Sequence, residues 1–274
     1  VGWEVHALAT APSRLPHGNI FHPLRYTLGM DEPVLGTTVL VAPLALATSD
    51  AVLLFNVARL LTFAVSGLTA YACARGLGAG EAAALAAGAL FAFSPIRTDQ
   101  LAHLSTLGTQ WLPLVVLFAF RFFRGGRARD AFLAAGAYVL AALACGYHGL
   151  IGLVVLPLAL LPLLSRDRLP AAIAAAAAAG LALVPLYLLH RAALAPLGHD
   201  RGAAETALFS APLEAFLATS VHNRVWGEAT APFRTSASNN LFPGLAARVA
   251  VAAGAWAAVR ARRPPSREAI SLAL

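Results

Sequence analysis

The chain has 274 residues, 59% of them apolar and only 12% charged, with a mean hydropathy of +0.70. Soluble domains carry about half apolar and about a quarter charged residues, so water-soluble packing is excluded and a helical bundle in lipid is expected. The net charge of +7 comes from arginine alone, with no lysine in the chain; scattered over short loops, it fits the positive-inside rule and not a nucleic-acid patch.

Residues 1–50 are too polar to span a bilayer. They carry His6, His17 and His22, Asn19, a run of prolines, and the adjacent acids Asp31 and Glu32. Residues 34–48 are apolar but interrupted by Pro43, which predicts a helix lying at the membrane interface. Seven apolar runs of near-spanning length follow, at 51–77, 81–95, 108–123, 131–145, 150–164, 170–189 and 243–259. Several are shorter than the roughly twenty residues a perpendicular span needs. The strand alternation of a porin-like barrel is missing, so the predicted fold class is all-α, a polytopic transmembrane bundle of about seven spans with two outer loops.

Arginine clusters orient the spans. Arg121, Arg124, Arg127 and Arg129 crowd one connection, Arg166 and Arg168 another, and Arg260, Arg262, Arg263 and Arg267 follow the last run. Placing these inside puts residues 94–109, 146–149 and 190–242 outside, and the alternation closes over seven spans. The division expected is an extracytoplasmic loop over 1–50, a six-span module over 51–189, and a second extracytoplasmic loop over 190–242. A further span over 243–263 and a cytoplasmic end over 264–274 complete it. The first residue is Val1 and the chain stops at Ser271–Leu274 as another apolar run starts, so both ends read as cut. Arginine-only, alanine-rich usage points to a GC-rich bacterial coding sequence; with the apolar runs, a multi-pass protein of the bacterial inner (plasma) membrane is expected. Cys73 and Cys145 fall near opposite faces, roughly 30 Å apart, beyond disulfide reach.

Four groups of polar residues stand where lipid would not tolerate them idly. In the first span Asn56, Arg59, Thr62 and Ser66 recur every three or four positions, hence on one helix face. An arginine at that depth faces the bundle interior or snorkels to the interface. In the second group, were the outer segment 94–103 helical, Arg97, Gln100 and His103 would share a surface beside Asp99. The arginine fork suits phosphate, while a local Arg–Asp pair is the plainer reading. The acids Asp31 and Glu32 form the third group: they can serve as general base or, with histidine, bind a divalent metal, or cap the helix that begins near Val34. Gly146–Gly149 is the fourth, a tight outer turn in which Tyr147 and His148 suit an aromatic belt. Residues 190–242 are long enough to hold helices of their own and close over a site. No glycine-rich phosphate loop, CxxC pair, HExxH or nucleophile elbow is present.

Several of these stretches resemble a family of bacterial multispanning proteins described as glycosyltransferase-like, of the GT-C type. They are residues 3–8 (WEVHAL), 19–23 (NIFHP), 60–67 (LLTFAVSG) and 91–95 (FAFSP) with Arg97, Gln100 and His103. Residues 110–114 (QWLPL), 145–147 (CGY) and 241–244 (LFPG) complete the set. The resemblance implies that the seven runs are spans two to eight, with residues 1–50 ending a first large outer loop and 190–242 forming the second. It implies a polyprenyl-phosphate-linked sugar as donor, a glycan or lipid acceptor outside the cell, and an acid early in the first outer loop that activates the acceptor. That acid is expected upstream of Val1, with Asp31 or Glu32 as the candidates within the chain. Arg97, Gln100, His103, Arg59, Asn19 and His22 are the candidate substrate-binding residues, and a divalent metal is a possible cofactor. Two other readings stay open: a transporter or flippase of an anionic lipid-linked substrate, and a non-catalytic scaffold in envelope assembly.

Overall fold

A computed structural model describes residues 1–160, 163, 165–198, 202–234 and 240–260. Among these, every regular element is helical. The α-helices are α1 (Gly2–Thr10), α2 (Leu35–Thr38), α3 (Ala51–Gly76), α4 (Glu81–Ala92), α5 (Pro95–Asp99) and α6 (Leu104–Leu107). They continue with α7 (Leu112–Gly125), α8 (Ala128–Ala144), α9 (Gly146–Leu160), α10 (Leu169–Leu194), α11 (Ala203–Phe209) and α12 (Leu245–Arg260). The expected end over 264–274, with Arg262, Arg263, Arg267 and Arg201 of the second loop, lies outside the described residues.

Three segments are long and apolar enough to cross a membrane: Ala51–Gly76, Leu104–Gly125 and Leu169–Leu197. The outward faces of the first and third carry Leu60, Leu68, Leu181 and Leu188, each more than half exposed, a surface suited to lipid contact. The other four predicted spans form shorter helices of 12 (α4), 17 (α8), 15 (α9) and 16 (α12) residues. At 1.5 Å per residue these reach about 18–26 Å, less than the roughly 30 Å of a hydrocarbon core. Seven full-length spans are therefore not what these helices show.

Local chemistry explains where the helices start and stop. Asp50 caps α3, its Oδ1 accepting from the backbone N–H of Val52 (2.9 Å) and Leu53 (3.1 Å), as a short acidic side chain does at an N-cap. Gly126, at φ +69°, ends α7 in the left-handed conformation that glycine adopts without steric cost. Packing between α3 and α4 depends on small residues: a Cβ on Gly88 would stand 2.7 Å from the Gly67 carbonyl oxygen, the close backbone approach favoured where lipid supplies no hydrophobic drive. Helix α8 packs against both α7 and α10.

Two expectations are corrected. Residues 34–48 do not form one continuous helix. Only the four residues of α2 are α-helical, and Gly36, Thr37 and Thr38 are buried against α8, α6 and the start of α7. Glycine at position 36 allows that approach, since a Cβ there would stand 2.7 Å from the Ala144 nitrogen. The polar groups of this segment are satisfied within the protein, as buried backbone requires: Gln110 Nε2 donates to Thr37 Oγ1 (3.2 Å) and Trp111 Nε1 donates to the Gly36 carbonyl (2.7 Å). Likewise, the reversal expected at Gly146–Gly149 is made at Cys145 alone, and those four residues form the first turn of α9. Helix α9 turns back along α8 there, with Tyr138 Oη donating to the Gly149 carbonyl (2.6 Å).

Candidate anion site around Arg97

Arg97 sits on α5, the short helix that links α4 to α6. Pro95 at the first helical position and Ser94 before it start this helix, and its C-cap Gln100 ends it after five residues. The early ending decides where the site residues go. A continuous helix over 94–103 would have placed Arg97, Gln100 and His103 on one face. Instead Arg97 turns inward and is 5% exposed. Gln100 is half-buried and its Oε1 accepts from Thr106 Oγ1 (3.1 Å), whereas His103 is exposed at the start of α6.

The Arg97 guanidinium is held but not neutralised. Its Nη2 donates to the carbonyls of Leu107 (3.1 Å) and Thr62 (3.3 Å), while Nε and Nη1 are buried without a hydrogen-bond partner. Among the described residues no carboxylate forms an ion pair with it. The rings of Phe63 and Phe91 lie 5.0 Å and 5.7 Å from its carbon centre, which attract a cation but offer N–H groups no acceptor. Burial pushes its pKa down to about 10, so it remains a cation at neutral pH. A buried charge normally has a partner, and two free N–H positions on such a cation are a site for an oxyanion.

One acid and one imidazole lie near this cation. Leu107, whose carbonyl Arg97 holds, is followed by Gly108, where a Cβ would stand 2.9 Å from Thr37 Oγ1 and 3.0 Å from Ala144 Cβ. Next along α8 is Cys145, whose Sγ–H donates to Glu32 Oε2 (3.1 Å). Glu32 Oε1 also accepts from the Tyr147 backbone N–H (3.1 Å), so this carboxylate caps α9, not the helix near Val34. That second capping role falls to Glu4, which is 2% exposed; its carboxylate accepts from the Val34 N–H (2.9 Å) and from the Thr38 hydroxyl. His148 lies within electrostatic reach of both Glu32 and Arg97. Burial pushes its imidazole below the ordinary 6.5, opposed by Glu32 and reinforced by Arg97. Its Nδ1 is buried without a partner, as is Gln110 Oε1.

The remaining candidates are placed as follows. Asp31 is exposed and its Oδ1 accepts from the Glu32 N–H (2.8 Å). Asn19 and His22 are exposed in the irregular segment between α1 and α2. Arg59 is half-buried, donating to Asn56 Oδ1 (3.0 Å) one turn back on α3. Thr62 and Ser66 on that helix are fully buried, with Thr62 supplying its carbonyl to Arg97. Among the described residues no three His, Cys, Asp or Glu side chains gather in a way that could hold a metal ion.

The second loop closes onto the same end of the bundle. Asn240 Nδ2 donates to Asp99 Oδ2 (2.6 Å), and a Cβ on Gly244 would stand 3.3 Å from Pro95. Leu241 and Phe242 donate their backbone N–H groups to the carbonyls of Ala215 and Ala218. The LFPG stretch thus joins the loop to α5.

No curated protein and no solved structure matches the chain. Residues 32–274 match the model of a family described as Domain of unknown function (DUF6311), which begins at Glu32 and takes in α2 through α12. The chain belongs to the DUF6311 family.

Proposed function

We propose that the chain binds the phosphate of a lipid-linked sugar at Arg97 and works as a membrane glycosyltransferase of the GT-C type. The observation that carries this reading is the buried, unpaired Arg97 guanidinium, with two nitrogens left without acceptors. The sugar and polyprenyl parts of the reading rest on the resemblance of the sequence stretches around it. In this scheme the shorter helices α4, α8, α9 and α12 complete a seven-span arrangement, tilted little or in locally thinned bilayer, with α5 and residues 190–242 on the outer side.

In the transfer, the bond between the sugar C1 and the donor phosphate oxygen breaks and a bond from C1 to the acceptor oxygen forms. Arg97 stabilises the charge left on the departing phosphate, in a site that excludes water and strengthens the attraction. A carboxylate takes the acceptor proton. Of the two adjacent acids, Glu32 suits this better than Asp31, since it stands beside His148 and its cationic neighbour while Asp31 faces solvent.

The test is sugar transfer from a polyprenyl-phosphate-linked donor by membranes containing the protein, read beside binding of polyprenyl phosphate alone. Arg97→Ala is expected to abolish both while the protein still inserts, and Arg97→Lys to recover part, because a point charge replaces a planar donor set. Glu32→Gln should reduce transfer more than Asp31→Asn. Wild-type-like turnover by Arg97→Ala removes Arg97 from the site. Binding without any transfer by the wild type favours carriage of the lipid-linked substrate over its chemistry.

A further inference from the structure

We infer that a second lipid site, separate from Arg97, lies between α7 and α8 at the opposite end of α7, and that it takes an anionic phospholipid of the surrounding bilayer. The cleft there is about 820 Å³ and is lined by Arg121, Arg124, Arg127 and Arg129, with Asp130 as its one acid. None of the four arginines takes part in an ion pair among the described residues. Two lie over aromatic rings of their own helix, Arg121 over Phe118 (5.8 Å) and Arg124 over Phe120 (5.4 Å). Those contacts hold the guanidinium planes without using their N–H edges.

Alone, this cluster would be an ordinary positive-inside loop. The neighbouring surface distinguishes it. An apolar groove of about 620 Å³ shares Phe118 and Leu133 with the basic cleft, so the two are contiguous. From there the groove runs along α7 and α8 to Trp111, floored by Ala178, Ala179 and Ala182 of α10. Along α7 the distance from Arg124 to Trp111 is about 20 Å at 1.5 Å per residue, compared with roughly 15 Å for one leaflet of hydrocarbon. A ligand that fits both parts has a phosphate at one end and an acyl chain at the other. Charge complementarity selects an anionic headgroup over a zwitterionic one, as basic pockets between transmembrane helices do.

The test offers the purified full chain in detergent equal amounts of phosphatidylglycerol and phosphatidylcholine and counts retained lipid by native mass spectrometry. Phosphatidylglycerol should be retained about tenfold over phosphatidylcholine, a difference of the size expected from one to two arginines. The preference should fall to within about twofold in the double variant Arg121→Gln, Arg124→Gln, and Leu133→Trp, which fills the groove, should lower retention of both lipids. Arg97→Ala should leave the preference intact, which separates this site from the one proposed above. Equal retention of the two lipids by wild type, a preference unchanged by the double variant, or displacement of the lipid by inorganic phosphate alone would overturn the inference. Should the double variant not fold, the wild-type preference still has to collapse at about 1 M salt, where screening acts over about 3 Å; a preference that persists there also overturns it.

Discussion

Trp111 donates its indole N–H to the carbonyl of Gly36 at 2.7 Å, across 75 positions of sequence. The bond ties the inserted segment around α2 to the start of α7, and it forms because residue 36 has no side chain. A methyl group there would collide with the Leu140 carbonyl and stand 2.7 Å from the Ala144 nitrogen. Those backbone atoms belong to α8 and cannot move aside. Gly36→Ala is therefore expected to destabilise the fold by about 3 kcal/mol or more, seen as loss of a monodisperse peak in fluorescence-detected gel filtration. Trp111→Phe keeps the packing and loses only the bond, so it should retain the peak with a modestly lower Tm. A monodisperse, wild-type-like Gly36→Ala would mean that the segment does not sit against α8.

Arg97 gives a prediction in which stability and function move apart. A buried ion without a partner costs several kcal/mol that an apolar side chain of similar volume does not. Arg97→Met should therefore hold or raise the Tm, by about 2 °C or more, while losing phosphate binding. A purely structural arginine would behave the other way, since its two carbonyl contacts would be lost and nothing gained. A marked fall in Tm for Arg97→Met would assign the residue to the packing of α5.

Much of this arrangement was legible in the sequence, and what was not has identifiable causes. Apolar runs bounded by Asp50, by the Gly125–Gly126 pair and by arginines located the long helices to within a few residues, because caps and breakers act locally. Arg97 stood out because an arginine beside apolar runs needs a reason. The insertion of α2 was not legible: a short apolar run with a proline reads equally as an interfacial helix, and only the contact of Gly36 with α8 distinguishes the two. Glu32 caps α9, and Glu4 takes the place expected of Asp31 or Glu32 near Val34, because these partners lie 115 and 30 residues away and spacing rules see only near neighbours. Glu4 carried one signal, a lone acid in the apolar stretch WEVHAL. Gln110 and Thr37 carried none beyond their place among apolar residues.

His148 makes stability depend on pH with a definite sign. Burial lowers its pKa in the folded state, and Arg97 adds to that effect. Above about 6.5 both folded and unfolded chains hold it neutral and it contributes nothing. As pH falls below that value the unfolded chain binds the proton first, so folding weakens, by at most about 1.4 kcal/mol per pH unit, until the folded-state value is passed. Tm measured from about pH 7.5 down to about pH 5 should therefore fall less steeply in His148→Gln than in wild type. Equal slopes would show that the imidazole titrates freely.

The orientation of the bundle can be read with single cysteines. Gly125 and Gly202 are suitable positions, since a side chain at either meets nothing within 4 Å, and the Asp167 side chain is 77% exposed. Gly108 is not, because a Cβ there would press on Thr37 and Ala144. The native thiols Cys73 and Cys145 are buried, so an impermeant maleimide reports the introduced residue. Arginine-rich short connections stay on the cytoplasmic side, which predicts Gly125 and Asp167 inside and Gly202 outside. In intact cells Gly202→Cys should label, while Gly125→Cys and Asp167→Cys should label only after permeabilisation. The reverse pattern would turn the bundle over and put Arg97 on the cytoplasmic side, where a cytoplasmic phosphate would be its ligand. Labelling of Gly125→Cys and Gly202→Cys together in intact cells would mean an even number of crossings between them, and one of α8, α9 or α10 would then lie within a single leaflet.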